Sequence, residues 1–307
     1  MRSQHSGKPD VGFVGLGIMG EPMAGHLATA GYRVAVYDVN GACSERVAEK
    51  HPGVQIMGSP QAVAEVSEIV VCMLPSGRYV REVALGDSGL IHGFRSGSIL
   101  LDTSSCEPWM TVDTARALAE KGIRMVDAPV SGAQIGAMNA QLVFMVGGDD
   151  DSIARVSPLL DVMGKQKFHL GPVGAGHAMK CINNLITSVT LLATSEGLTI
   201  GKKFGLDPDV MTDVINVSTA ESWVSRTHIK QRITSRRFDD PFKLGLMVKD
   251  IHIAMRLAAD LNLPARLSSL NKELWTAARE LEGDDASVSH LVRWLERTTG
   301  VDITSGN

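Results

Sequence analysis

The stretch "VGFVGLGIMGEPMAGHL" (residues 11–27) decides the fold. A short β-branched run ends at Gly15, and a helical pattern starts at Gly20. Between them Gly15, Gly17 and Gly20 form G-x-G-x-x-G directly after a strand. Each glycine has a mechanical purpose in such a turn. The first permits the tight bend, the second lets backbone approach a pyrophosphate, and the third allows a helix to pack closely on the strand. The helix start then offers N–H donors and a positive dipole end to phosphates. Gly15, Gly17, Ile18, Met19 and Gly20 are therefore the expected phosphate-side contacts of a dinucleotide.

Working outward, the next strand (33–38) ends at Asp38, 18 residues beyond Gly20. A carboxylate at that place accepts hydrogen bonds from both ribose hydroxyls and repels a 2′-phosphate, which favours NAD over NADP. The alternative is an Asp that shapes the turn into Asn40-Gly41. Further apolar runs follow at 68–74, 98–104, 124–129 and 142–148, separated by amphipathic stretches such as "MTVDTARALAEKG" (110–122). Continuous apolar strands alternating with helices predict an α/β, Rossmann-type, doubly wound and mostly parallel sheet.

From Gly174 onwards the strand pattern stops. Residues 177–203 hold no Pro, and as one helix they would run roughly 40 Å at 1.5 Å per residue. Gly205 follows that run, and Asp207-Pro208 supply an N-cap and a first helical residue. More helices are expected at about 243–262, 265–281 and 287–298. The boundary is placed near Gly171-Pro172, with a dinucleotide-binding domain over 1–172 and an all-α substrate and dimerisation domain over 173–307. Residues 226–237 carry five basic side chains, and Asp239 and Asp240 follow, as on a solvated helix face.

Composition narrows the function. The chain has 307 residues, 44% hydrophobic, with a formal net charge of −4. A mildly acidic protein has no electrostatic basis for holding nucleic acid. No apolar run reaches the ~20 residues that span a bilayer. Residues 1–9 read as a loose tail, and the four glycines that interrupt residues 11–23 argue against a signal peptide. Cys43, Cys72, Cys106 and Cys181 show no metal or disulfide spacing, so no metal and a cytoplasmic location are expected. "GPVGAGHAMK" (171–180) lacks the Gly-Lys-Ser/Thr of a P-loop, and no H-E-x-x-H is present.

The long helical run opens with "GAGHAMKCINN" (174–184). Lys180, Asn183 and Asn184 stand at i, i+3 and i+4 and so share one helix face. Two readings fit: a proton-transfer lysine beside a hydrogen-bonding amide, or an interhelical polar network with a snorkelling lysine.

From Val11 to about Glu296 the chain resembles the β-hydroxyacid dehydrogenase family, which includes 3-hydroxyisobutyrate dehydrogenases and tartronate semialdehyde reductases. Four segments carry the resemblance in order: "GFVGLGIMGEPMAGHL", "DAPVSGAQIGA" (127–137), "GAGHAMKCINN" and "FKLGLMVKDIHIA" (242–254). It implies hydride transfer between NAD and a small 3-hydroxy acid, hydroxy acid to semialdehyde and back. It implies that Ser131, Gly132 and Ala133 bind the substrate carboxylate, that Lys180 is the acid/base, and that Asn184 holds the substrate. Lys249 would lie near both cofactor and substrate. "MLPSG" (73–77) and "DTSS" (102–105) resemble the family's strand-end loops, implying cofactor contacts from Leu74, Pro75 and Thr103. Relatives associate through the helical half, which implies a homodimer or homotetramer. Asp250 is expected to be a structural partner, Phe242 a core or nicotinamide neighbour, and Cys72 and Cys181 space-filling.

Two departures stand out. Many relatives have a second glycine where this chain has Ala133. In "STAESWVSR" (218–226), Ala220 and Glu221 replace a small and basic or polar pattern. A pocket-facing Glu221 would favour a substrate with a hydroxylated or cationic far end; the alternative is a solvent-facing Glu221. Rival functions are a semialdehyde reductase of the tartronate or glyoxylate type, an imine reductase, and a cofactor-binding module without catalysis. Lys180 counts against the last two. A phosphorylated sugar acid is disfavoured because such enzymes have a far longer helical half.

Overall fold

The computed structural model describes residues 10–305, so the expected tail at 1–9 lies outside the described residues. The chain divides into two compact units, Met1–Lys180 and Cys181–Asn307. In the first, β1 (Val11–Val14), β2 (Val34–Tyr37), β3 (Gln55–Ile56), β4 (Ile69–Cys72), β5 (Ile99–Asp102) and β6 (Arg124–Asp127) form one parallel sheet in the order β3-β2-β1-β4-β5-β6. That is the strand order of the doubly wound nucleotide-binding fold. The sheet continues through β7 (Val130–Ser131), β8 (Leu142–Gly147) and β9 (Gly164–Gly171). β8 runs antiparallel to β6 and β7, and β9 runs parallel to β8.

The central strands β1, β2, β4 and β5 are apolar but for Asp102 because both sheet faces are covered there. Alternate residues feed two separate cores: Val11, Phe13, Ile69, Val71, Ile99 and Leu101 on one face, and Val14, Val70, Cys72 and Leu100 on the other. Between strands lie α1 (Gly20–Thr29), α2 (Gly41–Lys50), α3 (Pro60–Glu65), α4 (Gly77–Leu85), α5 (Leu90–Gly93), α6 (Pro108–Ala119), α7 (Ala133–Met138) and α8 (Asp150–Met163). β3 and β9 carry no strand pattern in the sequence. β3 has two exposed residues, and most of β9 is polar and exposed or half-buried, so neither shows an apolar run.

Helix α9 (Ala175–Phe204) spans 30 residues, three more than the expected run, and Gly205 follows it at φ +107°. α10 (Pro208–Asn216) starts where Asp207 accepts the N–H groups of Asp209 and Val210, as its Asp-Pro sequence foretold. α11 (Leu244–Asp260), α12 (Arg266–Glu282) and α13 (His290–Thr299) complete an all-helical second unit. Its core gathers Leu191, Ile229, Met247, Ile251, Trp275 and Leu291. The basic run is a π-helical segment, Ser225–Thr234, rather than an entirely solvated face. His228, Ile229 and Ile233 are buried on it, while Asp239 pairs with Arg232 and Arg237 outside.

Candidate active site

The glycine loop has the geometry its sequence required. Gly15 lies at φ +93°, and a Cβ there would sit 2.4 Å from the Met73 carbonyl oxygen. A Cβ on Gly20 would fall 1.9 Å from the Gly15 carbonyl oxygen, so α1 starts in direct contact with the turn. Gly17 and Ile18 are exposed, and nothing lies within 4 Å of a Cβ built on Gly17. The N-cap of α1, Met19, makes no side-chain cap. An open backbone turn ahead of an uncapped helix start suits an anionic pyrophosphate, so these residues fit a dinucleotide.

Asp38 follows β2 and is held by two backbone N–H groups. Its Oδ2 accepts the Leu16 N–H at 2.6 Å, and its Oδ1 accepts the Asn40 N–H at 2.8 Å. The carboxylate is thereby held against the glycine loop and also shapes the turn into α2. Leu74, Pro75 and Thr103 follow the ends of the adjacent strands β4 and β5. Thr103 is buried, and its hydroxyl donates to the Cys72 carbonyl at 2.7 Å. The Leu74 N–H donates to Ser104 Oγ at 2.9 Å, tying the two loops together.

Ser131 ends β7 half-buried, and Gly132 and Ala133 are exposed at the start of α7. Gly132 has φ +127° and Ala133 φ +52°, so Ala133 occupies left-handed backbone that usually favours glycine.

The first turn of α9 is fastened by a carboxylate. Asp127, the last residue of β6, accepts the Gly174 N–H at 2.7 Å and the His177 N–H at 2.8 Å. Burial pushes the Asp127 carboxyl up; the neighbouring His177 and the two backbone donors pull it back part of the way. His177 is wholly buried, with Nε2 3.1 Å from the Ser104 carbonyl oxygen and Nδ1 2.8 Å from Thr111 Oγ1. Its ring nitrogens also stand 3.7 Å from Asp102 and 3.7 Å from Asp127. Cys106 Sγ lies 3.4 Å from Asp102 Oδ2, and Asp102, Cys106 and His177 offer donor atoms within 4.8 Å of one another. Hydrogen bonds within the cluster and to the backbone already engage those atoms. Lys180, half-buried, follows His177 by three residues on the same helix.

In the second unit, Asn184 is buried on α9, and its Nδ2 donates to Asp250 Oδ2 at 2.5 Å. Asn183 Nδ2 donates to Asn184 Oδ1 at 3.2 Å. Lys249 Nζ lies 3.4 Å from Asp250 Oδ1, with the lysine about one-fifth exposed. Asp250 thus joins Asn184 and Lys249, the structural partnership expected of it. Phe242 is half-buried and packs on the second core. Glu221 pairs with Arg226 at 2.5 Å.

Sequence alone assigns no role to Asp102, Asp127 or His177. Asp102 and Asp127 each end an apolar strand, like Asp38 just past β2. A carboxylate closing a buried strand is the signal for the two aspartates, and His177 lies in the segment "GAGHAMKCINN" beside Lys180.

Comparison with known proteins agrees with this layout. A family described as the NAD binding domain of 6-phosphogluconate dehydrogenase matches residues 10–171. A second, described as NAD-binding of NADP-dependent 3-hydroxyisobutyrate dehydrogenase, matches residues 174–295. The chain is 33% identical over 296 residues to 2-(hydroxymethyl)glutarate dehydrogenase of Eubacterium barkeri, covering 96% of this chain and 98% of that one. It is 35% identical over 295 residues to 3-hydroxyisobutyrate dehydrogenase of Pseudomonas aeruginosa, covering 92% and 98%. Among solved structures, Mycobacterium tuberculosis 3-hydroxyisobutyrate dehydrogenase with L-serine superposes with a TM-score of 0.86 at 30% identity, covering 94% and 99%.

Proposed function

The chain belongs to the β-hydroxyacid dehydrogenase family, and on that premise we propose that its substrate is a small 3-hydroxy acid of the 3-hydroxyisobutyrate kind, with Lys180 as general acid/base. The coarser activity follows from membership: it is an NAD(P)-dependent 3-hydroxy acid dehydrogenase acting on a CH–OH donor. The observation that carries the finer reading is the fastening of the first turn of α9 to Asp127. A lysine one turn further on is held on a rigid element, as proton transfer requires.

In this reading Gly15, Gly17, Ile18, Met19 and Gly20 hold the pyrophosphate, and Asp38 takes the ribose hydroxyls. Leu74, Pro75 and Thr103 support the nicotinamide side. The nicotinamide, when bound, supplies the hydride acceptor. Lys180 Nζ takes the hydroxyl proton as the carbonyl forms and returns it in reduction. Ser131, Gly132 and Ala133 receive the carboxylate through hydroxyl and N–H donors. Asn184 orients the hydroxyl-bearing carbon, and Lys249 adds positive charge beside it.

NAD is favoured over NADP because Asp38 puts negative charge where a 2′-phosphate would sit. Domain limits of 1–172 and 173–307 suit the change from β/α alternation to helices. A homodimer or homotetramer is supported by exposed Ile186, Ile200 and Phe204 on α9 and Val210 and Val214 on α10. A cytoplasmic location suits four cysteines of which none is in a disulfide. Among the described residues no helix is long and apolar enough to cross a membrane. The Glu221–Arg226 pair supports the solvent-facing reading of Glu221.

The test is NADH fluorescence with 3-hydroxyisobutyrate, glycerate, 3-hydroxypropionate and threonate, each offered with NAD or NADP, and Lys180→Ala as the blank. Turnover with NAD that falls by about a hundredfold or more in the variant, with NADH still bound, supports the reading. Undiminished turnover in Lys180→Ala rejects the lysine.

A further inference from the structure

We propose that His177 is a positioning residue: through its bond to the Ser104 carbonyl it aligns the lysine-bearing turn of α9 with the two cofactor-side loops. This rests on the reading of Lys180 as acid/base and goes beyond it. His177 is assigned no contact with substrate or cofactor; it acts through the elements it joins.

The carbonyl of Ser104 can accept but not donate, so the hydrogen shared at 3.1 Å belongs to His177 Nε2. In the neutral ring Nδ1 is then the acceptor, and the one hydrogen of the Thr111 hydroxyl is shared between Nδ1 at 2.8 Å and the Glu107 carbonyl oxygen at 3.2 Å. Nε2 therefore faces the β5 loop, while Nδ1 faces α6. Ser104 is the junction. Its Oγ accepts the Leu74 N–H, its own N–H donates to Asp102 Oδ1 at 3.0 Å, and its carbonyl takes His177. One residue thus joins the end of β4, the end of β5 and the start of α9.

Packing leaves little slack in this connection. A Cβ on Gly176 would lie 2.1 Å from the Met145 carbonyl oxygen and 2.8 Å from Asp127 Oδ2, so the helix turn presses on β8 and on the end of β6. Asp127 fastens the same turn through two backbone N–H groups. Those bonds fix the height of the turn on the sheet. A helix held through main-chain groups on one side can still roll, and the His177 side chain restrains it from the β5 side. Lys180, three residues on, moves with any such roll. A misplacement of about 1 Å at a reacting group can cost up to roughly a hundredfold in rate.

The two ring bonds can be separated by substitution. A glutamine amide reaches about as far as Nε2 and can keep the Ser104 bond. An asparagine amide reaches about as far as Nδ1 and can keep only the Thr111 bond. The experiment measures kcat, NADH affinity by fluorescence and the thermal midpoint for His177→Gln, His177→Asn and Thr111→Val, beside Lys180→Ala. The expected result is that His177→Gln and Thr111→Val keep kcat within about threefold, while His177→Asn loses about tenfold to a hundredfold with NADH affinity nearly unchanged.

Equal kcat per folded molecule in the Gln and Asn variants overturns the proposal, because a purely structural histidine lowers the midpoint without separating the two. If His177→Asn does not fold, a loss in Thr111→Val as large as in His177→Gln overturns it, and retained kcat in both sustains it. Full turnover in Lys180→Ala rejects the underlying reading instead, and that outcome is separate from any His177 result.

Discussion

The side-chain amide of Asn184 donates to Asp250 across 66 positions of sequence, at 2.5 Å, with both residues almost wholly buried. With Asn183 donating to its oxygen, the Asn184 amide has a defined orientation: oxygen towards Asn183, nitrogen towards the carboxylate. Asp250→Ala removes that reference and strands a buried donor. The expected outcome is a stability loss of about 1–3 kcal/mol in urea unfolding and a higher KM for the hydroxy acid. An unchanged KM in a correctly folded variant would remove Asn184 from the substrate site.

Asp38 offers a direct assay of cofactor choice. Its carboxylate is already held by Leu16 and Asn40, so its position is set before any ligand arrives. Asp38→Asn is expected to lower the NAD:NADP ratio of kcat/KM by about tenfold, mainly through weaker NAD use and lost repulsion of the 2′-phosphate. A ratio that stays put would mean the carboxylate acts on the turn alone.

Ala133 carries a methyl group at φ +52° beside Gly132. Ala133→Gly relieves left-handed strain of about 1 kcal/mol, while the freer unfolded chain offsets a similar amount. Stability should therefore change by less than about 1 kcal/mol, with KM for small hydroxy acids lower. A large fall in melting temperature would contradict the strain argument.

The pair His228–Asp240, 2.8 Å apart and nearly buried, links the π-helical segment to the approach to α11. Burial raises the Asp240 carboxyl, but bonds from His228 and the Phe242 N–H outweigh it and hold the group below its usual 3.8. A carboxylate whose folded pKa is depressed contributes stability above its unfolded pKa. That contribution is lost as pH falls through the lower, folded value. Urea unfolding should show this loss below about pH 4. Asp240→Asn should flatten that acid limb and cost about 1.5–3 kcal/mol at neutral pH. An identical acid limb in the variant would assign the effect elsewhere.

Thiol labelling should discriminate among the cysteines. Burial, with Asp250 nearby, pushes Cys181 up to about 12, and burial raises Cys72 well above its ordinary value. Cys106 is also buried, whereas Cys43 is half-exposed. Native protein at pH 8 should take up one equivalent of alkylating reagent, mapped by mass spectrometry to Cys43. Rapid modification of Cys181 would show that its surroundings open in solution.

Local pattern made much of this protein legible. Four-residue apolar strands, a glycine turn and an Asp-Pro cap act through neighbours a few positions away, so periodicity and residue type expose them. β9 was hidden because a largely exposed edge strand needs no apolar alternation. The π-helical form of residues 225–234 was equally hidden, since its burial depends on His228 meeting Asp240 and on the second core.

The site divides along the same line. Glycines at fixed offsets and a lysine on a helix face are properties of residue order, legible without coordinates, and with them the family. The tertiary fold alone sets that Asp127 fastens α9 and that His177 meets Ser104 across 73 positions. These are pairings between groups remote in sequence. A buried Asp or His carries no local sign of its partner, because the partner is chosen by where strands end and helices pack.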